Sequence, residues 1–384
     1  MLALKALSTS RLGNRWLIPV GVFPFSPFSE LAGRSTISSS KCLVDCLITK
    51  FEFPETKALS IAARLPRLKS SQKPQALFAF LRGLMFSLDC IQSTVSGAPQ
   101  ILFANVDKNL KPKIELFQKL GFESLRLVKF ISKHSALFSY SLEKKLRPRV
   151  HILLETFHQK DVLTAIEKCS WLACMYPNSR LLSNVALLQS CGIVGSQLSM
   201  LLKMQPRLFI RTDCQVRDIV SRTLGLGFSV ESRMFIYGLS AVSAFSVATL
   251  DRKFAVFEGF GFSRSECIAM FRRCPTVLSR CDEKLSSGVD FFLNTVNLTK
   301  EMVVRSPALL MYSMEGRVIP RYRVLKTMES KFLLKKKPSF NSVMSLTNER
   351  FVEKFVFMYP EHAEELLIVY NGRYVDSSAD AAYS

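Results

Sequence analysis

A short signature that returns about every 35 residues constrains this chain more than any other feature. Ala98-Pro-Gln-Ile-Leu-Phe103, Gln205-Pro-Arg-Leu-Phe209, Cys274-Pro-Thr-Val-Leu278 and Ser306-Pro-Ala-Leu-Leu310 each set a proline before one variable residue and an apolar pair. His134-Ser-Ala-Leu-Phe138 and Cys169-Ser-Trp-Leu172 are degenerate copies with Ser in place of Pro. The anchors at 99, 135, 170, 206, near 240, 275 and 307 are separated by 36, 35, 36, 34, 35 and 32 residues. Self-similarity at such a period marks a stack of supersecondary units, each unable to bury its apolar face alone.

Glycine keeps the same beat. Leu120-Gly121-Phe122, Cys191-Gly192-Ile193, Leu226-Gly227-Phe228 and Phe260-Gly261-Phe262 each close an amphipathic stretch. Glycine there is the expected helix stop, because it takes the left-handed backbone without penalty. Pro74 and Pro112 each stand nine residues before a glycine, Gly83 and Gly121, with Pro148 and Pro320 in comparable places. Proline suits a first helical position, where the missing N–H costs nothing. Each unit therefore reads as two helices and a brief third element. Ile114, Phe117 and Leu120 line the first helix, and Leu127, Val128 and Ile131 the second. The fold class is all-α, a solenoid of tandem repeats.

These units resemble the mitochondrial transcription termination factor (mTERF) family, in its expanded land-plant branch. Three stretches carry the likeness: Leu102-Phe-Ala-Asn-Val-Asp-Lys-Asn-Leu-Lys-Pro-Lys113, Tyr140-Ser-Leu-Glu-Lys-Lys-Leu-Arg-Pro-Arg149 and Met314-Glu-Gly-Arg-Val-Ile-Pro-Arg-Tyr322. The ending resembles that family's cap, with Phe351-Val-Glu-Lys-Phe-Val-Phe-Met-Tyr-Pro360, Glu364-Glu-Leu-Leu367 and Tyr370-Asn-Gly372. The resemblance spans roughly residues 70–372. It implies a curved array of triangular helical repeats with a C-terminal helical cap, binding nucleic acid in mitochondria or chloroplasts. Members act in transcription termination or regulation, intron splicing and ribosome assembly. Ser135 and Ser170 depart from the signature proline, and the unit near Ser240 has lost it.

Charge points to a polyanionic partner. Fifty-two basic residues stand against 31 acidic ones, a net charge of +21. Residues 1–40 hold Lys5, Arg11, Arg15 and Arg34, many Ser and one acid, Glu30, as organelle transit peptides do. Their removal lowers the charge only to +18, so the surplus belongs to the body. The expected organisation is a transit peptide over 1–40, a variable segment over 41–70, the repeat array over 71–372 and a disordered tail over 373–384. The mitochondrion is the expected address, with the chloroplast as the alternative.

Basic residues gather at the starts of units. Lys108, Lys111 and Lys113 form one group, and Lys144, Lys145, Arg147 and Arg149 the next; Arg317, Arg321, Arg323 and Lys326 resemble them near the end. In a solenoid, equivalent positions align, so these groups predict a positive stripe matched to regularly spaced phosphates. Arg207, Arg211, Arg272, Arg273 and Arg280 would extend it, and Tyr322 is the aromatic candidate for a base or phosphate contact. Whether the partner is duplex DNA or RNA stays open, and a monomer is expected. A helical scaffold for organellar protein partners is the alternative.

Catalysis, metals and membranes have no matching pattern. The ten Cys include no Cys-x-x-Cys pair; Cys267, Cys274 and Cys281 recur every seven residues but read as packing residues. The four His complete no metal set, and no cofactor is expected. Gly225-x-Gly227 and Gly259-x-Gly261 lack a third Gly, and no P-loop, Gly-x-Ser-x-Gly or His-Glu-x-x-His occurs. Met234–Leu250 is uncharged but short for a span, and reads as two buried helix segments meeting at a turn.

Overall fold

The computed structural model describes residues 36–65, 72–174 and 178–372. Twenty α-helices and a series of short 3₁₀ and π turns follow one another, with no strand among the described residues. The expected tail lies outside the described residues, as does the expected leader up to residue 35, where the helix Thr36–Thr49 begins.

The third element of each unit is a 3₁₀ turn: Pro99–Phe103, Ser135–Ser139, Ser170–Ala173, Pro206–Ile210, Pro275–Ser279 and Pro307–Met311. Its proline or serine is buried in every copy, as are the apolar residues two positions later. The unit that lost the signature has no such turn. There the helix Arg233–Ala244 runs on, and it meets Val247–Glu258 at a bend of 111°. No single helix among the described residues is long and apolar enough to cross a membrane; that bent pair passes only when joined.

Of two expectations about helix ends, one holds with an addition and one needs correction. Pro112, Pro148 and Pro320 stand in the first turn of the α-helices Lys111–Leu120, Arg147–Thr156 and Ile319–Ser330, as expected, but these helices do not start from coil. Each is preceded by a π turn, Val106–Leu110, Leu142–Leu146 or Met314–Val318, capped by Asn105, Ser141 or Ser313. The cap side chains accept from the N–H groups of Lys108 at 2.8 Å, Lys144 at 3.3 Å and Gly316 at 3.0 Å. A proline ring inside a helix collides with the carbonyl four residues back, and the wider turn makes room for it.

Gly83 is the correction. It lies inside the helix Gln72–Gly83, and the left-handed position is Met85. Positive φ recurs at Glu52, Met85, Gly121, Gly192, Gly227, Gly261, Asn297 and Phe332, at intervals of 33, 36, 71, 35, 34, 36 and 35 residues, with Ser124, Gly195 and Gly372 off that beat. The 71 spans two units, because Phe157 is extended at the intervening helix end. After the left-handed residue comes an apolar one whose N–H reaches back to close the helix. Phe86 bonds Leu81 O at 3.1 Å, Phe122 bonds Phe117 O at 3.0 Å and Leu333 bonds Met328 O at 3.0 Å. The beat reaches Glu52, so the helices Thr36–Thr49 and Glu55–Ala63 form a unit upstream of the expected start at 71.

Neighbouring units are tied by side chains that satisfy these helix ends. Gln92 donates to Phe51 O and Glu52 O at 2.9 Å, Gln159 to Lys119 O and Leu120 O at 3.1 and 3.0 Å, and Lys300 to Gly261 O at 2.8 Å. Beneath them the buried Leu, Ile, Val and Phe side chains form one continuous core.

One tie between units is a histidine. His134 Nδ1 lies 3.1 Å from Ser170 Oγ, while its Nε2 is buried without a hydrogen-bond partner. Burial, aided by Lys133, lowers the His134 pKa below its ordinary 6.5. A depressed histidine contributes stability that is present above the unfolded pKa and is lost as pH falls through the folded one. The urea midpoint is therefore expected to drop between pH 7 and pH 5.5, and His134→Gln should flatten that slope. An unchanged slope in the variant would remove His134 as its cause.

Candidate nucleic-acid interface

The basic residues divide into three sets that sequence alone had merged. One set faces inward. Lys113 is 4% exposed and its Nζ donates to Phe138 O at 2.6 Å. Arg149, one unit on, is half-buried and donates to Cys174 O. Arg321 is fully buried, donating to Val343 O, Met344 O and Leu346 O at 2.8, 3.2 and 2.9 Å and to Asn348 Oδ1 at 2.8 Å. All three follow the helix proline directly. Asn184 and Lys253 do the same work in other units. Asn184 bonds Phe209 O at 3.0 Å and Arg211 O at 2.8 Å; Lys253 bonds Arg280 O at 2.6 Å and Asp282 at 3.0 Å.

The physical reason is local. Several 3₁₀ turns end with a carbonyl inside the stack, where an unmade hydrogen bond is costly, and Arg321 meets the same need at the end of the helix Phe340–Ser345. A donor on the first helix of the same unit satisfies them. Burial pushes the pKa values of Lys113 and Arg321 down, as expected of cations removed from water. These two leave the phosphate stripe: a side chain buried to this degree, with its donors committed to carbonyls, cannot reach a phosphate.

A second group is partly withdrawn. Arg211 donates to Ser243 O at 3.0 Å, Arg280 to Met311 O and Arg317 to Met344 O at 3.4 Å, and all three are half-buried. Tyr322 is half-buried too. Its hydroxyl donates to Thr295 O at 2.8 Å and its ring packs edge-on against Phe291 at 5.5 Å.

The outward set is what remains. Lys108, Lys111 and Lys144 are exposed, and their side chains have no hydrogen-bond or ion-pair partner among the described residues. Lys145 is exposed over the Tyr140 ring at 5.2 Å, and Arg147 pairs with Glu143 at 3.0 Å. Lys108 and Arg147 line one groove of about 550 Å3 between successive units, with Lys113 and Tyr140 also in its wall. Arg207, Arg272, Arg273 and Arg323 are exposed elsewhere; Arg273 leans on Val304 O at 3.4 Å. Lys326 pairs with Glu329 at 3.2 Å and lines a cleft of about 620 Å3 with Tyr322, Arg305 and Lys337. Arg305 was not among the expected cations, though a signal existed: it stands two residues before Pro307, as Arg273 stands before Pro275 and Lys133 and Lys168 before Ser135 and Ser170.

Cys267, Cys274 and Cys281 sit in a helix, at its end and before the next helix, respectively buried, half-buried and exposed. Burial raises the Cys267 thiol to about 11 and Cys174 to about 12, which keeps both protonated. No group of three or more His, Cys, Asp or Glu among the described residues is arranged to hold a metal ion.

The helix–helix–turn unit recurs along the described residues except where Arg233–Ala244 runs on, and five units carry an inward donor. The mTERF family model matches residues 48–257 and 244–352. The chain belongs to the mTERF family. This mTERF protein is also similar to a curated relative from Arabidopsis thaliana, "Transcription termination factor MTERF8, chloroplastic", at 20% identity over 265 residues. That match covers 67% of this chain and 51% of the relative, so the chain spans about half the length of the curated relative it matches. The matched region begins at residue 48, in agreement with the upstream unit centred on Glu52.

Proposed function

We propose that this mTERF protein is a non-catalytic organellar regulator of gene expression that acts by binding nucleic acid. One observation carries the reading: Lys108, Lys111, Lys144 and Lys145 remain in water in two successive units, Lys108 on the groove between them, while Lys113, Arg149 and Arg321 serve carbonyls inside the fold. Such cations neutralise phosphates and release counterions, holding the backbone without reading its sequence. Arg207, Arg272, Arg273, Arg323 and Lys326 would add contacts elsewhere on the array. The relative's name supports transcription termination as the process served and a chloroplast beside the expected mitochondrion. A leader within residues 1–40 would supply that address.

Binding of the protein to duplex DNA and to single-stranded RNA, measured across a salt series, tests this reading. The expected result is a steep linear fall of log affinity with log salt, about 0.9 in slope for each phosphate held on duplex DNA. The tighter of the two substrates identifies the target class. Absence of binding to both at low salt, or affinity indifferent to salt, would sink the proposal and favour a scaffold for protein partners.

A further inference from the structure

The left-handed turn after each first helix is a place for glycine, and four units use it. Phe332 takes that turn at φ 55° and is 93% exposed. Two disfavoured features therefore coincide there: a Cβ in left-handed backbone, and a whole aromatic ring in water. The turn itself serves the fold, as it does wherever it closes a first helix, but the exposed ring does not. Leu333 closes the helix through Met328 O, Tyr359 ties the loop down through a 3.1 Å bond to Leu333 O, and Lys331 pairs with Glu365 at 3.0 Å. Met85 takes the same turn with its side chain 79% exposed, so the turn alone does not single out Phe332; what does is an aromatic ring left in water beside a run of lysines.

The charge beside the ring says what kind of contact. Lys335, Lys336 and Lys337 follow within the same loop, all exposed, and only Lys337 reaches an acid, Glu329 at 3.5 Å. An aromatic face next to concentrated positive charge complements a ligand that carries a flat π-surface and negative charge on the same short stretch. A nucleotide with an unpaired base has both. We propose that Phe332 stacks on an unpaired base of a single-stranded nucleic acid while Lys335 and Lys336 hold the adjoining phosphates. This inference rests on the nucleic-acid reading above and adds a base contact to it. The lysines would supply salt-dependent affinity, and the ring would supply affinity that depends on the base being present.

The test compares oligothymidylate with an abasic strand of equal length and charge, both binding to the full chain. The unmodified protein is expected to prefer the base-bearing strand by roughly 5- to 150-fold, the range of one stacked base. Phe332→Gly and Phe332→Ala should erase most of that preference and leave the salt slope unchanged; Phe332→Trp should retain it. Phe332→Gly should also hold or raise Tm, because glycine accepts the turn, so lost preference cannot be ascribed to lost folding. An equal preference in Phe332→Gly and the unmodified protein overturns the proposal. So does equal binding of both strands by the unmodified protein, or Phe332-dependent binding to phosphatidylglycerol vesicles in place of base discrimination. Failure of the unmodified protein to bind either strand is a different result, which overturns the nucleic-acid reading itself.

Discussion

Replacing Arg321 by alanine is expected to release the C-terminal cap from the repeat array. Arg321 spans three backbone carbonyls and the Asn348 side chain, and its guanidinium lies 4.7 Å over the Phe351 ring. Alanine would leave those carbonyls buried and unanswered and would open a cavity beside Phe351. Losses of this kind cost about 3–5 kcal/mol. In a stack, each unit contacts only its neighbours, so the loss should stay local. Hydrogen exchange is the direct measurement: amides of residues 340–372 should lose at least about a hundredfold in protection, while those before residue 290 keep theirs. Arg321→Lys should fall between, since one ammonium cannot replace a planar fork across three carbonyls. Unchanged protection in the cap would show that Arg321 is not the latch.

Reversing Lys108, Lys111, Lys144 and Lys145 together to Glu should have the opposite profile, leaving the fold intact and removing the binding proposed for it. All four are exposed, and none takes part in an ion pair among the described residues. Each lost phosphate contact lowers the salt slope by about 1, so the quadruple variant should lose about 4. Affinity for duplex or strand near 0.1 M salt should fall by at least about a hundredfold. Circular dichroism and Tm should barely move, because surface substitutions of this kind stay within about 0.5 kcal/mol each. Retained affinity and slope would move the interface off these two units.

Comparing the two predictions shows where sequence reading worked. The period, the two-helix unit and the short third element followed from Pro99, Pro206, Pro275 and Pro307 and from Gly121, Gly192, Gly227 and Gly261, and the structure has them in those places. The bend between Ala244 and Val247 was legible too, from an uncharged run too short and too serine-rich to be one span. These are local signals: proline and glycine act on their own backbone wherever they stand.

The candidate site was less legible. Lys108 and Lys113 look alike in a string of letters, five residues apart in one basic group. One points into water and the other caps Phe138 O. The recurrence of a basic residue after proline in Pro112-Lys113, Pro148-Arg149 and Pro320-Arg321 suggested a stripe, yet it marks the position of the inward donor. Phe332 was hidden for the opposite reason. Among 30 Phe, most of which belong to a core, nothing in its own residue type shows that it occupies a glycine's turn.

Sequence by itself determined the repeat length, the all-helical class, the family likeness and the basic surplus, because each is set by local backbone preference or by simple composition. Tertiary structure alone decided which cations remain in solvent. That choice depends on which carbonyls the end of a unit's third element leaves unanswered, and those carbonyls lie some 25 residues away from the donors that satisfy them.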